Sequence, residues 1–152
     1  RHAGNGLYLP SIRSNETGTI VFVRDTSGSM DEEALSLCTS ELLAAVSLVK
    51  PESLVVIDCD FSVKRVQEFE DADSIDEEEI KPPVGGGGTR FRPALEQALD
   101  FDPSCIVYFT DSWGRTDKSF EPDVPVLWAI SEAEERANDM AFGESVFVRS
   151  SQ

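Results

Sequence analysis

The sequence predicts an α/β fold: a mostly parallel central sheet with helices on both faces and one antiparallel edge strand pair. Three observations lead there. Apolar runs at 19–23, 53–57 and 105–109 lack polar alternation, as strands buried on both faces do. Helical patterns lie between those runs. The link between the runs at 53–57 and 63–69 is too short for a helical crossover, so these two strands must be antiparallel.

Taken in order, residues 1–18 are mixed and irregular, and read as an N-terminal extension, the tail of an upstream region. Within them Leu7-Tyr8-Leu9-Pro10 is expected to pack on the domain edge, and 14–18 to form a turn. The domain proper is assigned to 19–150. Thr19 to Val23 is the first central strand. A helix is expected over 31–49, because Leu35, Cys38, Leu42, Ala45, Val46 and Val49 recur at spacings of three and four. Asp31, Glu32 and Glu33 suit its first turn, where the helix dipole favours negative charge, and Lys50-Pro51 ends it.

The second strand, 53–57, runs into Asp58-Cys59-Asp60, and 63–69 alternates as an edge strand does. The acidic stretch 70–79 reads as a solvated loop or short helix. Pro93 is placed for the first turn of a helix carrying Phe91, Leu95, Ala98 and Leu99, closed by Asp102-Pro103. Strands follow at 105–109 and 124–130, then a short helix at 132–140 and a last edge strand at 146–148. Trp128, inside an apolar run, is assigned to the core, whereas Trp113 and Phe120 suit either a contact surface or a packed loop.

The chain has 152 residues, enough for one domain with a sizeable core, and no apolar run approaches the roughly 20 residues of a membrane span. Its formal charge of −16 disfavours nucleic acid and anionic membrane as partners. Cys38, Cys59 and Cys105 lie in apolar runs without CxxC spacing, which reads as buried thiols in a reducing, cytoplasmic setting. The lone histidine, His2, rules out a Ser-His or Cys-His catalytic pair elsewhere in the chain, and HExxH is absent.

The stretch Asp25-Thr26-Ser27-Gly28-Ser29-Met30 sits where a strand ends and a helix begins. In a tight turn Asp25, Ser27 and Ser29 point inward together. Two further loops should reach the same sheet edge: Gly85-Gly86-Gly87-Gly88-Thr89, and Thr110-Asp111. Asp25, Ser27, Ser29, Thr89 and Asp111 then make an oxygen-only set of two carboxylates and three hydroxyls. That set suits a hard cation, Mg²⁺ first, with Mn²⁺ or Ca²⁺ as alternatives, and not zinc.

These residues resemble the metal-ion-dependent adhesion site (MIDAS) of von Willebrand factor A (VWA) domains. Asp25-Thr26-Ser27-Gly28-Ser29 matches its first element, Thr89 its threonine and Asp111 its second aspartate. Gly86-Gly87-Gly88-Thr89-Arg90-Phe91-Arg92-Pro93, Tyr108-Phe109-Thr110-Asp111 and Pro125-Val126-Leu127-Trp128 resemble more closely a bacterial VWA-like domain that follows a metallopeptidase-like region. The resemblance spans roughly 7–148 and implies a Rossmann-like VWA fold. It implies direct ligation by Ser27 and Ser29, with Thr89 direct or through water and Asp25 and Asp111 mainly through water. It also implies an open position for a partner's Asp or Glu carboxylate, and a non-catalytic role beside other domains or an AAA-type ATPase. Two positions depart from the family pattern: Arg90 replaces an acid after the threonine, and Ser112 replaces a glycine after the second aspartate.

Rival readings exist. Leu54 to Ser62 resembles the nucleophile strand of haloacid-dehalogenase-type Mg²⁺-dependent phosphatases, with Asp58 attacking phosphorus, Asp60 as acid/base and Asp111 helping to hold the metal. Ser62 departs from that pattern, and a buried strand precedes the motif. The glycine run lacks a following Gly-Lys-Ser/Thr, which disfavours nucleotide hydrolysis. A metal-free interaction domain is the third reading.

Overall fold

A computed structural model of the chain describes residues 18–71, 75–111, 120–131 and 140–148. Its elements are β1 (Thr19–Asp25), α1 (Glu32–Val49), β2 (Ser53–Cys59), β3 (Val63–Phe69), a 3-10 turn (Glu77–Glu79), α2 (Arg92–Leu99), β4 (Cys105–Thr110), β5 (Val126–Ile130) and β6 (Glu144–Phe147). The strands form one sheet in the order β3-β2-β1-β4-β5-β6. β2 and β3 pair antiparallel and every other neighbouring pair is parallel. This is the α/β class the sequence predicts.

Strand alternation divides the core into two layers. Ile20, Phe22, Leu54, Val56, Val107 and Phe109 face α1, meeting Cys38, Leu42, Ala45 and Val49. Val21, Val23, Val55, Ile57, Ile106 and Tyr108 face the other way, meeting Ala94, Leu95 and Ala98 of α2. Covering both faces is what requires the unbroken apolar runs. Trp128 is fully buried in the second layer, stacked on Tyr108, and its indole N–H donates to the Phe142 carbonyl at 2.9 Å.

Helix ends follow local chemistry. The Asp31 side chain accepts from the Ala34 amide at 2.8 Å, capping α1. Lys50 closes the helix in the left-handed region with φ 56, and its amide donates to the Val46 carbonyl at 2.8 Å. Several expected boundaries move. β1, β2 and β4 each extend past their apolar runs to take in Asp25, Cys59 and Thr110. α2 stops at Leu99, ahead of Asp102-Pro103, and Phe91 sits just before it. β5 begins at Val126, since Pro125 has no N–H to give, although its carbonyl accepts from Ile106. β6 begins at Glu144, and 70–79 carries only the 3-10 turn among its described residues. Phe120 is half-buried against the second layer. The expected features at 1–17, all but Met140 of the expected helix at 132–140, Ser112 and Trp113 lie outside the described residues.

Candidate metal centre

The site is built on β1 and β4, central strands paired side by side. On β1, Arg24 continues the row facing α1, whereas Asp25 continues the row of Val21 and Val23 on the opposite face. On β4, Thr110 continues the row of Ile106 and Tyr108, which brings it alongside Asp25. Its hydroxyl donates to Asp25 Oδ2 at 2.5 Å. The Ser27 amide donates to Asp25 Oδ1 at 2.9 Å. That bond folds the chain back, and the Ser27 and Ser29 hydroxyl oxygens come to lie 3.3 Å apart. Asp25, Ser27 and Asp111 are buried, whereas Ser29 is exposed.

Burial pushes the Asp25 carboxyl above its usual range. The Thr110 and Ser27 hydrogen bonds pull it down, and the charge of Asp111 pushes it up further. Both carboxylates are buried, and negative charge in so poorly solvated a place favours added positive charge. The donor set is oxygen only. Among the described residues no group of three or more His, Cys, Asp or Glu gathers. Adjacent ligands of an octahedral Mg²⁺ with bonds of about 2.0–2.1 Å stand about 3 Å apart, so the Ser27–Ser29 spacing suits two neighbouring positions. Each Asp25 oxygen already accepts one hydrogen bond, which suits contact with a cation through water. The residues present therefore fit a hard divalent ion.

The glycine-rich loop, 85–89, docks on the same turn. Gly28 donates to the Gly87 carbonyl at 2.8 Å, and Gly86 donates to the Thr26 carbonyl at 2.7 Å. Three of the five expected site residues, Asp25, Ser27 and Ser29, are linked by hydrogen bonds, while Asp111, buried just after β4, acts on Asp25 through its charge. Thr89 lies on the docked loop, half-buried, and its hydroxyl bonds to none of the other four. The Arg90 guanidinium lies over the Phe61 ring, 4.9 Å from its centroid, and pairs with neither Asp25 nor Asp111.

Asp58 and Asp60 are engaged elsewhere. Arg24 grips Asp58 with two bonds, of 2.7 and 3.1 Å, in a fully buried ion pair, and the Val84 amide donates to the same carboxylate at 3.2 Å. Burial raises the Asp58 pKa while Arg24 opposes the rise. Asp60 accepts from the Ser62 amide at 3.1 Å and the Gly87 amide at 3.0 Å. Burial alone would raise its pKa, but those amides and Lys64 outweigh it and hold it below the usual value. Neither carboxylate is presented as a phosphatase nucleophile would be. Sequence reasoning also passed over Thr110 and Arg24. A charged residue closing an apolar strand was the available signal for Arg24, but its partner depends on the β1–β2 register, which places Arg24 opposite Asp58.

Comparison with known proteins points one way. No curated protein matches the sequence. A crystal structure of an aerotolerance-related membrane protein from Bacteroides fragilis superposes with a TM-score of 0.59 at 16% identity, covering 83% of this chain and 76% of that one. The ArnB paralog VWA2 from Sulfolobus acidocaldarius gives 0.58 at 18% identity, covering 88% of this chain but 41% of that one. Both show a shared fold. The sequence itself matches the family described as VWA-like domain (DUF2201) over residues 20–149. With nearly all of its sheet, both of its described helices and its candidate centre inside that match, the chain belongs to the VWA-like domain family (DUF2201).

Proposed function

We propose that this domain is a non-catalytic module that binds a protein partner through a divalent cation, Mg²⁺ in the first instance. The observation that supports this best is the turn after β1, where buried Asp25 accepts from the Ser27 amide and the Ser27 and Ser29 hydroxyls stand 3.3 Å apart, with buried Asp111 at the end of the neighbouring strand. Ser27 and Ser29 would hold the ion directly, Thr89 directly or through water, and Asp25 and Asp111 mainly through water. The cation supplies a positive point charge and an open coordination position, so that an acidic protein can receive a carboxylate. Arg90, exposed and stacked on Phe61, leaves the centre clear and offers a second cation to an incoming acidic side chain.

On this reading residues 19–150 are the binding module, working beside a peptidase-like domain. An AAA-type ATPase is then a natural partner class. The test is thermal. Mg²⁺ or Mn²⁺ at about a hundred times its Kd should stabilise the domain by about 2.7 kcal/mol, several degrees in Tm. Asp25→Ala and Ser27→Ala should each abolish the shift. A shift that survives both substitutions would sink the assignment.

A further inference from the structure

The Asp58-Cys59-Asp60 motif at the end of β2 has no part in ligation, yet it holds both ends of the glycine-rich loop. Between Lys81 and Phe91 the chain forms neither helix nor strand, so its course is set by what it is tied to. At the upstream end Arg24, fixed by Asp58, donates to the Lys81 carbonyl at 2.9 Å, and Asp58 accepts from Val84. At the downstream end Asp60 takes two amides. Its carboxylate accepts from Gly87 at 3.0 Å and its carbonyl from Arg90 at 3.1 Å. Thr89 lies between those two anchored residues. The fit is close: a Cβ on Gly87 would stand 2.9 Å from Asp60 Oδ2, so only glycine lets the carboxylate reach that amide undisturbed.

We infer that Asp60 is a positioning residue for the metal centre: it fixes the segment 87–90 and thereby sets where the Thr89 hydroxyl stands relative to Ser27 and Ser29. The inference rests on the metal-binding reading above. A buried carboxylate accepting backbone amides makes bonds stronger than neutral ones and tolerates little drift. Residues that hold a ligand from behind in this way typically change metal affinity 10–100-fold when removed.

The experiment measures Mn²⁺ affinity by the loss of the free-ion EPR signal, alongside the metal-free Tm and the hydrogen-exchange rate of the Gly87 amide. Asp60→Ala should weaken Mn²⁺ binding about 10–100-fold and speed Gly87 exchange. Asp60→Asn, which keeps one acceptor oxygen for two amides, should fall between Ala and wild type. Gly87→Ala, which attacks the same contact from the other side, should weaken Mn²⁺ binding with Asp60 intact, and serves if Asp60→Ala fails to fold. A lower metal-free Tm with unchanged Mn²⁺ affinity in the folded variants would reduce Asp60 to ordinary structural support and overturn the inference, leaving the metal-binding reading intact. A wild-type domain that binds no Mn²⁺ would overturn both.

Discussion

Glu41 sits on the buried side of α1, and its Oε1 has no hydrogen-bond partner. Burial raises its carboxyl above the ordinary value. At low pH it is neutral in both folded and unfolded chains and costs nothing. As pH rises through the folded value, the folded state must hold a poorly solvated charge, and stability is lost. Glu41→Gln should therefore raise Tm at pH 8, with a gain that narrows toward pH 5. An equal gain at every pH would contradict this. At this scale the site was partly legible. Asp25, Ser27 and Ser29 share a turn, and their spacing gained force from the glycine-rich loop before Thr89 and from Asp111 at the end of an apolar strand. Thr110 was hidden because a hydroxyl one residue before a carboxylate gains meaning only once β4 lies beside β1.

The glycine-rich loop makes an unequal set of demands on its glycines. A Cβ at Gly85 would stand 2.2 Å from the Thr26 hydroxyl and 2.5 Å from the Thr26 carbonyl oxygen, so the backbone must shift. At Gly88 the nearest atom would be a Phe61 ring carbon at 3.7 Å, an ordinary contact. Gly85→Ala should cost about 1–3 kcal/mol in a urea melt. Gly88→Ala should stay within about 0.5 kcal/mol. Similar losses at both positions would mean that the loop is not seated on Thr26. The sequence revealed the glycine run but could not rank its members, because the atoms that crowd Gly85 come from a segment some sixty residues away. The same limit governs the strands. Burial on both faces made them easy to find, and for that reason left their register unmarked. The exchange of Asp58 from a candidate nucleophile to the partner of Arg24 followed from register alone.

The whole molecule carries 29 acidic against 13 basic side chains. Such an excess repels itself in the compact state, and salt screens it within about 8 Å at physiological ionic strength. Tm of the metal-free domain should thus rise as NaCl goes from about 0.02 to 0.3 M, read by circular dichroism. A fall would indicate that exposed ion pairs such as Arg92–Glu96 outweigh the general repulsion. No helix among the described residues is long and apolar enough to cross a membrane. The candidate centre stands at the end of β1, which is paired along its length with β2 on one side and with β4 on the other. A partner gripping the Ser27–Ser29 turn would pull along the axis of that strand. The load would shear two parallel ladders at once instead of peeling one bond after another from an edge. Attachment at this point is therefore suited to bearing mechanical tension, whatever complex the domain is built into.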